Sequence, residues 1–365
     1  MKIIARNRAF LGMLAGLLAG CGGSNSSIIP VANVSNPLQS TVNTTSVPPA
    51  TTTSPVVTSS PVSYTGAALT TFNSVNNDRA NMGVGLLVES PALDIAAQAH
   101  ATYLATQNPP LETHTEVAGN PNFYADTPYD RAMKAGFTPT SAWIDESIGD
   151  VNNCYGQLMS TVYHLQELTS NVQQFGMGQV ASWACVMEFA TVTGTANLTQ
   201  PTNGAGIPPI AGQQIPSGVL GVYPSNGQTA VPGAMAAGEN PAPPLPSGYT
   251  SPGHPVLMRA AVASSTQQLV VSKFSLSDAN GNGVTGVLLL TPASATASTT
   301  LPSVAAAAAS STPVAVSTQA DGNIMQGVAV FVPQTVLTSG MTYTATFSGT
   351  MGTVPLSNTW SFIVK

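Results

Sequence analysis

Ser90-Pro-Ala-Leu-Asp-Ile-Ala-Ala-Gln-Ala-His-Ala-Thr-Tyr-Leu-Ala-Thr106 reads as a single amphipathic helix. Ser90 is a good N-cap, and Pro91 fits the first helical position, where its missing N–H costs nothing. Leu93, Ala97, His100 and Leu104 then recur on one face. Upstream, Leu69, Phe72, Val75 and Asn76 keep a helical period that Gly83 to Gly85 break. Downstream, Thr127-Pro128 repeats the start signal and Gly136 offers a left-handed stop. A further helix is predicted from about Tyr155 to Leu168, with Leu158, Val162 and Leu165 inward. Phe175 to Val180 and Ser182 to Phe189 read as two strands. Helices followed by a hairpin predict an α+β sandwich over 64–198, a usual single-domain size.

The texture changes on both sides of this block. Residues 21–63 are rich in Ser, Thr and Pro, with no charge from Gly22 to Ser63, and predict a tether that cannot bury enough apolar surface to fold. Residues 199–215 read as a Pro- and Gly-rich linker. Over 216–365 short strands alternate: Tyr343, Ala345 and Phe347 share one face, as do Trp360, Phe362 and Val364. Val222-Tyr-Pro-Ser-Asn-Gly227 and Thr342-Tyr-Thr-Ala-Thr-Phe347 resemble bacterial Ig-like modules, which implies an all-β Ig-like sandwich.

At the N-terminus, Lys2, Arg6 and Arg8 precede an uncharged stretch from Ala9 to Gly20, too short to span a bilayer. Residues 1–20 read as a signal peptide. Leu18-Ala19-Gly20-Cys21 resembles the lipobox of bacterial lipoproteins, which implies cleavage before Cys21 and its acylation. The plainer reading is an ordinary secretory signal with an incidental cysteine. The expected location is the bacterial cell envelope, outside the cytoplasm, with the membrane as partner through the lipid anchor.

Nine Lys and Arg face fifteen Asp and Glu. Three of the nine precede Cys21, leaving six against fifteen, net −9. Charged residues make up 7% of the chain, against about 25% in an average soluble protein. So few cations exclude a basic patch and, with it, nucleic-acid binding. Beyond Cys21 only Cys154 and Cys185 remain. In an exported domain they predict one disulfide, with two buried free thiols as the alternative.

Several further stretches carry a resemblance. Asn76-Asn-Asp-Arg-Ala-Asn-Met-Gly83, the helix around His100, His114-Thr-Glu116 and Thr127-Pro-Tyr-Asp-Arg-Ala-Met-Lys-Ala-Gly-Phe137 together resemble the CAP superfamily (cysteine-rich secretory, antigen 5, pathogenesis-related 1), bacterial SCP-like members above all. Asp145-Glu-Ser-Ile-Gly149, Tyr163-His-Leu165 and Gly176-Met-Gly178 extend it to roughly 66–193. The resemblance implies an α-β-α sandwich and a groove in which His114, Glu146 and His164 converge on a ligand or a divalent metal. Two imidazoles and a carboxylate suit zinc with an open position for water. The usual Gly-Glu-Asn is here Asp145-Glu146-Ser147, Thr161 stands where a second glutamate is usual, and Leu165 replaces an arginine. Any zinc is therefore expected to bind weakly.

Read without the resemblance, His100 is a packed helix residue and His164 is undecided between core and groove. Glu146 could cap a nearby turn, and Glu116 could serve as a second acid beside His114. Asp278-Ala-Asn-Gly-Asn-Gly283 opens like a calcium loop, but Leu289 stands where the bidentate glutamate belongs, so a hairpin turn is predicted. No Gly-x-Ser-x-Gly elbow is present. The expected function is a binding or interaction module for a lipid or other envelope ligand. The alternative is a metal-dependent hydrolase using the same His/Glu cluster, with catalysis left undecided.

Overall fold

The structure is a computed structural model that describes residues 63–107, 112–138, 140–150, 153–180, 184–200, 209–298 and 316–365. The signal, Cys21 and the tether up to residue 62 lie outside them. Helix α1 spans Gly66–Met82 and ends where Gly83 breaks the period, with φ of 71° in the left-handed region. Strand β1 is Val88–Glu89, and α2 is Pro91–Thr106, as its start signals predict. Helix α3, Pro128–Lys134, opens on a full capping box in which the Thr127 and Asp130 side chains bond each other's backbone N–H.

Trp143–Asp150 forms strand β2, which alternation alone did not reveal, since Asp145 and Glu146 interrupt it. The helix expected from Tyr155 to Leu168 is two short ones, α4 (Cys154–Leu158) and α5 (Tyr163–Leu168). The break has a local cause. Ser160 and Thr161 turn their hydroxyls onto the carbonyls of Gly156 and Leu158. The Glu239 carboxylate accepts from the N–H groups of Val162, Tyr163 and His164 and so begins a new turn. Strands β3 (Gln174–Val180) and β4 (Ala184–Thr191) follow, giving a sheet in the order β1-β3-β4-β2.

Strand β4 is buried on both faces, so its residues sort by parity. Ala184 and Val186 meet Ala97, Ala101 and Leu104 of α2. Cys185, Met187 and Phe189 meet Phe72, Leu158, Leu165 and Leu168 of α1, α4 and α5. The result is an α-β-α sandwich. Helix α2 can lie flat on β3 because Gly176 and Gly178, two apart, present no side chain to it. A Cβ on either would stand 2.2 Å from the α2 backbone. On the opposite face a disulfide joins Cys154 at the start of α4 to Cys185, with 5.9 Å between their Cα atoms.

The C-terminal region is all-β. Strands β5 (Leu220–Tyr223), β6 (Val256–Ala260), β10 (Val328–Pro333), β8 (Gly286–Leu290) and β9 (Val316–Ala320) form one sheet in that order. Strands β12 (Val354–Ile363), β11 (Thr342–Met351) and β7 (Leu269–Asp278) form a second. Short helix α6 spans Pro292–Ala297. Tyr343, Ala345, Phe347, Trp360, Phe362 and Val364 all pack between the two sheets. The Asp278 segment links β7 and β8, which lie in different sheets. It is therefore a turn between sheets with a single bridge, Ser277 to Gly283, and not a ladder hairpin.

The outer face of the five-stranded sheet does not meet solvent. Leu257, Val287, Leu289, Val328 and Val330 share one apolar cluster with Phe72, Leu158 and Leu165. Their odd-even neighbours Met258, Leu288, Leu290 and Phe331 face the three-stranded sheet. Helix α5 is the seam. Gln166 accepts at its carbonyl from Arg259 (2.6 Å) and bonds both Asn323 and Met325, while Tyr163 donates to Asp321. Among the described residues no helix is long and apolar enough to cross a membrane.

Candidate functional site

Residues 112–126 leave α2 without regular structure, and a buried polar network holds them in place. His100, fully buried on α2, donates from Nε2 to the Thr113 carbonyl at 2.8 Å. A carbonyl only accepts, so that nitrogen carries hydrogen. Its Nδ1 faces Glu116 Oε1 at 2.9 Å, and Glu116 Oε2 accepts from the Tyr124 N–H. Tyr103 accepts at its hydroxyl from Val117 N–H and Asn120. Arg131, turned inward by the capped α3, donates to the carbonyls of His114 and Asp126.

Glu146 lies at the centre. One oxygen accepts from Arg131 Nη2 at 2.6 Å, and the other is 3.0 Å from His114 Nδ1 and 3.5 Å from His100 Nε2. Burial alone would raise its pKa, but Arg131, His100 and His114 hold it well below the usual carboxylate range. Directly opposite in the β2–β4 register is Glu188, fully buried, with Oε1 3.6 Å from Arg131 Nε. Burial and the charge of Glu146 push Glu188 well above the ordinary value. The two paired carboxyls are thus shifted in opposite directions, Glu146 down by its cationic partners and Glu188 up by burial and the charge of Glu146. His114, with 24% of its side chain exposed, is where this network reaches the surface. Burial lowers its pKa, but the Glu146 hydrogen bond and charge outweigh that and raise it.

His114 and Glu146 therefore come together, while His164 has other partners. Its Nδ1 lies 3.0 Å from the Thr161 hydroxyl and 3.3 Å from Glu239. Among the described residues no group of three or more His, Cys, Asp or Glu is placed to hold a metal ion. His100, read as packing, is both packed and bonded to Glu116 and the Thr113 carbonyl, with Glu146 3.5 Å away. Arg131 and Glu188 were missed. For Glu188 the signal was a carboxylate inside an otherwise apolar strand, Cys185-Val-Met-Glu-Phe189, where a charge must find a partner or a proton.

The outer face of α2 and the pinned loop enclose an open groove of about 680 Å³. Ile95, Ala99 and Met177 line one side, Phe123 and Tyr124 the other. Ile95 is 52% and Phe123 37% exposed. Asp94 is the charged group in the lining, and it already accepts from Tyr64 and from the Met177 N–H. Exposed Lys134 stands 4.4 Å over the Tyr124 ring.

Residues 72–192, about a third of the chain, match the model of the cysteine-rich secretory protein (CAP) family. The α-β-α sandwich over these residues is of the CAP type. A 1.5 Å crystal structure of an extracellular protein containing an SCP domain from Bacillus anthracis str. Ames is similar at 16% identity and a TM-score of 0.28, over 33% of this chain and 39% of that one. This chain thus matches about two fifths of that protein's length. No curated protein matches it.

Proposed function

We propose that the protein is a lipid-anchored, extracytoplasmic binding module whose CAP-type half takes an apolar chain with an anionic head, a fatty-acid-like ligand. The carrying observation is the groove between α2 and the loop at Phe123. Its volume falls in the range of small-molecule sites. Ile95, Ala99, Phe123, Tyr124 and Met177 give it an apolar strip, flanked by Gln98, Thr102 and Asn122, and the Asp94 charge is already bonded. An anionic head would find Lys134 at the Tyr124 end. Arg79, Arg131 and Arg259 are all buried, so positive charge reaches the surface of the described residues through lysines, and Lys134 is the one beside Tyr124.

On this reading the buried network positions the groove wall. Glu116 holds Tyr124, and Arg131 holds the carbonyls of His114 and Asp126. The donor set favours this role over a divalent ion, because the Arg131 guanidinium already neutralises Glu146 and His164 is engaged with Glu239. Acylation of Cys21 would tether the module to the envelope, and the Ig-like sandwich would carry the groove-bearing half.

Binding of cis-parinaric acid, followed by its fluorescence, tests the proposal. Wild type should saturate, and Ile95→Glu should weaken binding at least about tenfold by placing a charge against the chain. Equal affinity in both would remove the groove. Zinc content is the second reading: about one zinc per chain in wild type, lost in His114→Ala, would favour the metal-dependent hydrolase instead.

A further inference from the structure

Where α5 meets the C-terminal sheet, a second and smaller cavity of about 160 Å³ opens beside Arg259. Two of its lining side chains are buried and incompletely bonded. Arg259 is 4% exposed; its Nη2 is held by the Gln166 carbonyl, but its Nε has no partner. Ser170 is 1% exposed, and its hydroxyl also has none. Two buried donors without acceptors beside one cavity are costly unless something in the cavity accepts from them. The rest of the lining divides by chemistry. Asn171, Gln214 and Gln326 add polar groups, while Ile210 and Val262 are apolar.

The charge around the cavity is also unbalanced. Arg259 and Arg79 both act on the buried Glu167. Burial pushes Glu167 up to about 8, so it is a poor counter-charge for Arg259 at pH 7. An anion in the cavity would give Arg259 the acceptor and the counter-charge that its Nε lacks.

We propose that this cavity binds a short-chain carboxylate, its head on Arg259 Nε and the Ser170 hydroxyl and its short apolar tail against Ile210 and Val262. A carboxylate suits two unpartnered donors at one cavity, one of them a guanidinium. The volume equals that of about five waters, which admits a few carbons and excludes a long acyl chain. The site is separate from the groove on α2, and its test does not depend on that groove.

Calorimetric titration of sodium butyrate into the full mature chain, at pH 7 and fixed ionic strength, decides the matter. Wild type should bind one equivalent, and butyramide, the uncharged analogue, should bind at least about tenfold more weakly. Ser170→Ala removes a hydroxyl with no partner in the chain, so the fold should persist while butyrate binding falls about fivefold. Arg259→Gln should abolish binding, and if that variant does not fold, the Ser170 variant decides alone. Absence of saturable heat in wild type, equal binding of butyramide, or unchanged affinity in Ser170→Ala would each overturn the proposal and leave the cavity to water.

Discussion

Glu188 and Glu146 are the same residue type on paired strands, yet their surroundings shift them in opposite directions. Arg131 is close enough to fix the charge of Glu146 and only near enough to moderate that of Glu188. Glu188→Gln should therefore be tolerated, since burial and the charge of Glu146 already disfavour a charge at that position. Chemical denaturation should give a midpoint within the error of wild type. Glu146→Gln should destabilise by about 3–5 kcal/mol by leaving Arg131 buried without its main counter-charge, and the same measurement checks it. Lys134→Gln should weaken parinaric acid several-fold and leave an uncharged long-chain alcohol unaffected, which a competition titration would read. The sequence singled out His114 and Glu146 because an imidazole outside any apolar phase and a carboxylate in a resemblance motif are visible one at a time. Arg131 was quoted in that resemblance without a role, because nothing in a linear string says that a capped seven-residue helix turns it inward.

Among the elements, α2 was legible end to end because its cap, proline and period agree. β2 and the break between α4 and α5 were not, because their causes lie elsewhere in the chain: the pairing with β4, and Glu239 some 75 positions beyond His164. The Gly176-Met-Gly178 pair has a steric reason, and Gly178→Ala should cost about 1–3 kcal/mol because its Cβ would meet the α2 backbone at Gln98. Thermal unfolding of that variant beside wild type checks this. The disulfide closes a loop of 31 residues in sequence separation, and Cys154→Ser with Cys185→Ser should cost roughly 3–4 kcal/mol by releasing the unfolded chain. Denaturation of the double variant that matches wild type would contradict that estimate.

At the scale of the whole molecule, texture separated an α+β half from a β half. It did not reveal that the halves share an apolar cluster, since a strand buried on both faces looks the same in sequence whatever covers it. That shared burial gives the chain a pH dependence. Burial pushes Glu167 up to about 8, despite Arg259 and Arg79 beside it, while an unfolded glutamate titrates near ~4.3. Between those values the folded state keeps a proton that the unfolded state has released, so stability falls as pH rises, by up to ~1.4 kcal/mol per unit. Glu188 acts in the same direction. The His114 pKa is raised by Glu146, so its contribution is present below the unfolded value near ~6.5 and lost as pH rises through the folded one. Melting should therefore occur at higher temperature at pH 5.5 than at pH 8, and Glu167→Gln should flatten that slope.

The central claim is that the apolar ligand lies between α2 and the loop at Phe123. Amide chemical shifts of the isotope-labelled chain, titrated with lauric acid, locate it directly. Perturbations should concentrate at Ile95, Ala99, Thr102, Phe123, Tyr124 and Met177 and fade toward His164. Shifts centred on His164 and Glu239, with Ile95 and Phe123 unmoved, would contradict the account.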